Sequence, residues 1–294
     1  MRMRGSLDIG VSTHTGMQRH ANEDDYLVLC GAEAARGADL VAIADGMGGM
    51  AGGAEASRAA LRGLALGFCG AGAADALDRL RRGFREARGR VSELASQLPA
   101  LRDMGTTLTA LAAHEGRAAL VHVGDCRAVR LRGRQLEQLT TDHARADLDH
   151  VLTRCIGAGA PDQEPDAAWV DLEPGDTLAL LSDGVWKPVG TEQLVRLLLG
   201  GSAQEAAERL VGAALAAGGP DNATAVVLRV RQGADDPRAV ELPREERVLL
   251  PEGSGGSLFA PRWPLLLLGL ALLVLVLAGL RALGWFDAAS LFGR

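Results

Sequence analysis

Four aspartates that lie far apart in the chain, Asp45, Asp125, Asp183 and Asp221, each border a short apolar run with the composition of a β-strand. The runs span 40–44 before Asp45-Gly46, 119–123 before Gly124-Asp125, 177–181 before Ser182-Asp183-Gly184, and 223–230 after Asp221-Asn222. A fold built from these strands carries its carboxylates at sheet edges. Carboxylates a few ångströms apart repel and raise one another's pKa, so several on one spot call for a cation. Oxygen donors without a His or Cys ligand pattern favour Mg²⁺ or Mn²⁺ over Zn²⁺.

Helical periodicity fills three gaps between the strands. One helix is expected over 53–68 and a second over 75–96, where Leu77, Leu80, Phe84, Ala87, Val91 and Leu94 form one apolar stripe. The third region, 191–217, breaks at Gly200-Gly201 and restarts at Ser202, whose spacing to Glu205 is that of a capping box. Hairpin-like links such as Arg132-Gly133-Arg134 predict antiparallel sheets with packed helix pairs, not alternating βαβ units.

Several short elements carry chemistry. Arg19 precedes the acidic pair Glu23-Asp24 by four residues, a spacing that could set a bidentate phosphate donor beside a metal site; an ordinary surface charge cluster is the alternative. Asp45-Gly46-Met47-Gly48-Gly49 offers a carboxylate and a backbone carbonyl to a cation. A nucleotide-cradling loop is excluded there, because no Lys-Ser or Lys-Thr follows and no GxGxxG is present. Gly105-Thr106-Thr107, Gly124-Asp125-Cys126-Arg127-Ala128, Thr141-Asp142-His143, Ser182-Asp183-Gly184 and Asp221-Asn222 complete the series. Each alone is an ordinary turn.

In this order the elements resemble the metal-dependent Ser/Thr protein phosphatases of the 2C type, in their bacterial branch. The likeness covers residues 7–231. It implies an α+β fold, a central β-sandwich of two antiparallel sheets flanked by helix pairs in an α-β-β-α arrangement, with two Mn²⁺ or Mg²⁺ ions at one end. By position it implies that Asp45 bridges both ions, that Asp183 and Asp221 complete the first ion's protein ligands, and that the Gly46 carbonyl serves the second. Glu23 and Asp24 are expected to hold waters of the centre, Arg19 to grip the phosphoryl group, Asn222 to orient its neighbour, and Asp125 to bind a weaker third ion. The chemistry agrees: two cations about 3.5–4 Å apart acidify a shared water and clamp the phosphoryl oxygens for in-line displacement, with no covalent phosphoenzyme.

Departures from the family pattern carry expectations too. Met47 stands where eukaryotic relatives have a histidine proposed as general acid, so leaving-group protonation falls to water of the centre. Cys126 replaces the usual Ser and reads as a small buried thiol, with a redox-sensitive one as the alternative. The flap between Asp142-His143 and Leu152-Thr153-Arg154 is short, which is expected to leave a more open site and puts the third ion in doubt.

Composition bounds the rest. A net charge of −6 argues against a nucleic-acid partner. Cys30, Cys69, Cys126 and Cys155 form no CxxC pair, and no signal peptide opens the chain, so the thiols are expected to be free and the catalytic domain cytoplasmic. Arginine supplies every basic residue except Lys187. From Pro264 to Leu280 runs an uninterrupted apolar stretch, flanked by Trp263 and Trp285. As a helix it spans roughly 25 Å, and Arg281 can snorkel to let the next turn contribute. The organisation expected is a phosphatase domain over 1–231, a flexible Pro/Gly-rich linker over 232–262, a single transmembrane helix over 263–284 and a short tail over 285–294. The expected protein is an enzyme at the bacterial cytoplasmic membrane that hydrolyses phosphoserine and phosphothreonine in phosphoproteins and opposes a Ser/Thr kinase. Its rivals are a hydrolase of small phosphoesters and an inactive phosphopeptide-binding scaffold.

Overall fold

The computed structural model describes residues 7–30, 38–48, 52–70, 75–114, 116–145, 148–157, 159–160 and 163–231, all within the first of the two units, 1–250 and 251–294, into which the chain divides. The linker, transmembrane helix and tail expected over 232–294 lie outside the described residues. Among the described residues no helix is long and apolar enough to cross a membrane.

Strands β1 (Leu7–His14), β2 (Asp24–Leu29) and β3 (Asp39–Met47) lead into two long helices, α1 (Gly52–Cys69) and α2 (Ala76–Gln97). A 3₁₀ turn at Pro99–Leu101 precedes β4 (Gly105–Thr106), β5 (Leu108–His114), β6 (Arg117–Val123), β7 (Arg127–Arg132) and β8 (Gln135–Gln138). A small ribbon of β9 (Ala144–Arg145) and β10 (Leu148–Leu152) occupies the short flap, followed by β11 (Ile156–Gly157), β12 (Asp166–Asp171) and β13 (Thr177–Leu181). Helices α3 (Asp183–Val189), α4 (Thr191–Leu198) and α5 (Ala203–Ala216) come next, and β14 (Ala223–Val230) completes the order.

The strands form two antiparallel sheets. One runs β1-β14-β13-β7-β8; the other runs β11-β4-β3-β5-β6-β12, with β2 also paired to β3. Both faces of each central strand are covered, which is why these strands read as continuous apolar runs rather than alternating ones. On β3, Val41 and Ile43 meet Leu178, Leu180, Val226 and Leu228 of the facing sheet. The alternate residues Leu40, Ala42 and Ala44 face outward onto Leu61, Leu64 and Phe68 of α1 and Leu80, Phe84 and Val91 of α2. On the other sheet Ala179, Leu181, Ala225 and Val227 pack under Val185, Leu194, Leu198 and Leu210. The layers are therefore α-β-β-α.

The helices need one correction. The α1 and α2 pair and the break before α5 match the expected periodicity, and Ser202 and Glu205 do make the reciprocal capping box. The outer face of the five-stranded sheet, however, carries three helices rather than a pair. The additional one, α3, starts at Asp183 and contains Pro188, so its residues read locally as a turn followed by a helix breaker. Pro188 forgoes the hydrogen bond that its position would make to Gly184, and the helix reaches its C-cap two residues later at Gly190.

Candidate metal centre

The expected site residues sit at matching ends of the two sheets. In the antiparallel register of β2 and β3, Asp24 lies directly opposite Asp45. Like charges so placed destabilise a ladder unless something offsets them. The Asp45 backbone is locked by the Gly-Thr-Thr element: its N–H donates to Thr107 Oγ1 at 2.9 Å, and its carbonyl accepts from Thr107 N–H at 2.9 Å and from Thr106 Oγ1 at 2.9 Å. The next residue, Gly46, donates its N–H to the Glu23 carbonyl at 3.1 Å. The Glu23 side chain lies over Gly53, where a Cβ would come within 2.7 Å of its carboxylate, so only glycine fits at the start of α1.

The other carboxylates come from the facing sheet and from the crossing between sheets. Asp183 opens α3 where β13 ends, Asp221 precedes β14, and β13 and β14 are neighbours. Asp125 lies in the turn that carries the chain from β6 in one sheet to β7 in the other.

Electrostatics tie these groups together. Asp45 keeps some solvent contact, yet protein atoms enclose most of it. Its pKa is pushed well above the usual carboxylate range, first by burial and then by the charges of Asp24, Asp183, Asp125 and Asp221. Burial raises Asp24 to about 7, with Asp183 and Asp221 adding to the rise. The hydroxyls of Ser182 and Thr224 lie close enough to oppose this shift. Both hydroxyls are already engaged, Ser182 Oγ by the Thr224 N–H at 2.9 Å and Thr224 Oγ1 with Thr13 Oγ1 at 2.8 Å. Neither Asp24 oxygen has a hydrogen-bond partner of good geometry, nor does Asp183 Oδ1. Asp125 is raised to about 6 by burial and by Asp183, against the pull of Lys187.

Orphaned buried carboxylate oxygens of this kind are costly in a protein alone and are the donors that hard divalent ions take. The residues present thus fit such ions. Among the described residues no three His, Cys, Asp or Glu side chains are already drawn together tightly enough to hold one. Two side-chain cations hold part of the charge: Arg19 Nη2 lies 2.8 Å from Asp221 Oδ2, and Lys187 Nζ lies 2.7 Å from Asp183 Oδ2.

Asn222 makes contacts through both its backbone and its side chain. Its backbone N–H donates to Asp221 Oδ1 at 2.8 Å. Its side chain also clamps the loop that carries Arg19 and Glu23: Nδ2 donates to the carbonyls of Thr15 at 2.7 Å and Ala21 at 2.9 Å, and Oδ1 accepts from the Glu23 N–H at 2.9 Å.

A further group of supports joins two of the motifs to each other and to residues outside them. Trp186 Nε1 donates to the Asp125 carbonyl at 3.0 Å, tying α3 to the Asp125 turn. The Arg127 guanidinium stacks 3.3 Å above the Trp186 ring and makes a two-pronged pair with Asp142. His143 Nδ1 accepts from the Gly124 N–H at 3.1 Å, and its ring stacks on His122. His122, pushed down to about 4 by burial, is neutral; it donates from Nε2 to the Thr141 carbonyl and so accepts from the Thr109 hydroxyl at Nδ1. Cys126 is wholly buried beside Thr107, and burial followed by the charge of Asp45 pushes its thiol well above the normal range. It is a thiol, not a reactive thiolate.

An antiparallel sandwich between helix layers, with five acidic side chains gathered at one end of it, defines a class of metal-centred hydrolase folds. Residues 15–216 match the family model described as Protein phosphatase 2C, and the chain belongs to that family. It is 33% identical over 233 residues to the serine/threonine protein phosphatase PstP of Mycobacterium tuberculosis, a match that covers 73% of this chain and 43% of that protein. The chain thus spans less than half the length of that relative. It is 29% identical to the protein phosphatase PhpP of Streptococcus pneumoniae, covering 77% of this chain and 98% of the relative. A crystal structure of a PstP catalytic domain in complex with two manganese ions superposes with a TM-score of 0.68 at 32% identity, covering 77% of this chain and 99% of that one.

Proposed function

We propose that this chain is a metal-dependent protein serine/threonine phosphatase, acting through two Mn²⁺ or Mg²⁺ ions at the Asp45 end of the sandwich. The observation that carries the reading is the set of buried carboxylate oxygens on Asp24 and Asp183 without a well-aligned hydrogen-bond partner, beside Asp45 on the opposite strand. The ion pair, when bound, supplies Lewis acidity that acidifies water and neutralises charge on the phosphoryl oxygens. In this reading Asp45, Asp183, Asp221 and the Gly46 carbonyl would hold the ions, and Asp24 and Glu23 would accept hydrogen bonds from water beside them. Arg19, half-exposed at the rim, presents a planar fork to the phosphoryl oxygens. Water attacks phosphorus and gives up a proton to solvent within the site, the P–O bond to the serine or threonine side chain breaks, and the leaving oxygen takes a proton from that solvent. The manganese-bound PstP domain and the relatives' names as serine/threonine phosphatases support the assignment.

The test is hydrolysis of phosphoserine and phosphothreonine peptides by the full chain with Mn²⁺ and with chelator, beside a panel of sugar phosphates. Activity on the peptides that chelator removes and Asp45→Asn abolishes is expected. Preference for sugar phosphates would make the chain a small-phosphoester hydrolase, and Mn²⁺ binding without turnover would make it a phosphopeptide-binding scaffold.

The membrane tether belongs to the same proposal. Its support is the apolar run 264–280 between Trp263 and Trp285, which as a helix is close to the length a bilayer core requires. Retention of the full chain in bacterial membranes after carbonate washing is the expected result, and release into the wash overturns it. The domain would then face the cytoplasm, on phosphoproteins and opposite a Ser/Thr kinase. Dephosphorylation of an autophosphorylated kinase from the same cell tests that pairing.

A further inference from the structure

Lys187 is the one lysine among 31 basic residues, and its ammonium stands between two acidic residues of the centre. Nζ lies 2.7 Å from Asp183 Oδ2 and 3.8 Å from Asp125 Oδ2. The Asp183 and Asp125 side chains are only 17% and 9% exposed, so the ammonium faces carboxylates largely withdrawn from water. We propose that Lys187 is a built-in cation that holds the space between Asp125 and Asp183 against a third divalent ion, leaving this chain with a centre of two ions. The inference rests on the binuclear reading above and restricts it.

Three features of the fold set the ammonium there. Lys187 lies one turn after Asp183 on α3, the spacing that brings side chains together on one helix face. The neighbouring Trp186 is fixed by its hydrogen bond to the Asp125 carbonyl and by the Arg127 guanidinium above its ring, so α3 cannot move away from the Asp125 turn without breaking both. The residue type matters as well: an ammonium is a compact point charge that fits between two carboxylates, where a planar guanidinium would reach past them. Asp183 is thereby divided in use. Its Oδ2 faces Lys187, while its Oδ1 is buried with no partner and remains for an ion of the binuclear pair. Asp125, read from the resemblance as the ligand of a weaker third ion, has its charge met by protein instead.

Equilibrium dialysis of the full chain against Mn²⁺, with metal counted per chain, tests this directly, and circular dichroism checks the fold of each variant. The expected counts are two ions for the unaltered chain and three for Lys187→Gln, the added ion being lost again in Lys187→Gln/Asp125→Asn. Three ions in the unaltered chain, or two in a folded Lys187→Gln chain, overturn the proposal while leaving the binuclear reading intact. No ion bound by the unaltered chain overturns both. Asp125→Asn alone decides independently of how the lysine variant folds: an unchanged count of two is expected, and loss of an ion overturns the proposal.

Discussion

Asn222 pins one loop that lies about two hundred residues away in sequence, through its side-chain bonds to Thr15, Ala21 and Glu23. Each is a buried or half-buried polar contact, and a partner left unsatisfied costs about 1–3 kcal/mol. Asn222→Ala is therefore expected to lower stability by about 2–3 kcal/mol in urea denaturation, and to raise KM for a phosphopeptide because the loop bearing Arg19 loses its clamp. A second residue acts by having no side chain at all. A Cβ on Gly184 would fall 1.9 Å from the Asn222 carbonyl oxygen, so α3 can approach β14 only with glycine there. Gly184→Ala is expected to cost about 1–3 kcal/mol or more by the same measurement, since backbone and not a flexible side chain stands in the way. The residue types at these places were legible as a motif, Ser-Asp-Gly and Asp-Asn, but their reasons were not. That Gly184 yields space to Asn222 is a tertiary fact with no trace in local spacing.

The pairing of α1 with α2 depends on arginines as much as on the apolar stripe. Arg79 Nε donates to the Phe68 carbonyl at 3.0 Å, with its guanidinium 3.8 Å over the Phe68 ring. Arg82 reaches the carbonyls of Gly67 at 2.6 Å and Gly70 at 2.6 Å. Two cations from one helix thus satisfy the carbonyl end of the other, where the last turn leaves acceptors without partners and the helix dipole is negative. Arg79→Ala/Arg82→Ala is expected to destabilise the domain by about 2–4 kcal/mol, read as a shift in urea midpoint at unchanged slope. The stripe of Leu80, Phe84, Ala87 and Val91 was plain in the sequence because a 3.6-residue period is a property of one segment. The capping arginines were not, because they act across two segments. Helix α3 was obscured for a different reason: its first residues carry the acidic motif that reads as a turn, and Pro188 sits within its seven residues.

For the molecule as a whole, the acidic end is a store of unfavourable charge that folding alone does not discharge. Asp24 holds its proton up to about pH 7 in the folded state against an ordinary value of 3.8, Asp125 up to about 6, and Asp45 shifts the same way. Between those limits the folded chain binds more protons than the unfolded one, so stability falls as pH rises through the window. In chelator the thermal midpoint is expected to drop as pH rises from 3.8 to about 7, and Mn²⁺ to raise it most at the upper end, where the ligands are ionised. A midpoint that rose with pH in chelator would contradict the buried acidic cluster. That the aspartates lie toward one end of the sandwich was legible because each borders a strand; that Arg19 and Lys187 stand against two of them was not. The sandwich has one more consequence. Its first strand is hydrogen-bonded to its last, from Leu7 opposite Val230 to His14 opposite Ala223, and Asn222 anchors the loop that follows β1. A chain emerging from the ribosome with β14 still unmade therefore has every helix found among the described residues, most of both sheets and no finished centre, and its chemistry is withheld until β14 has been made.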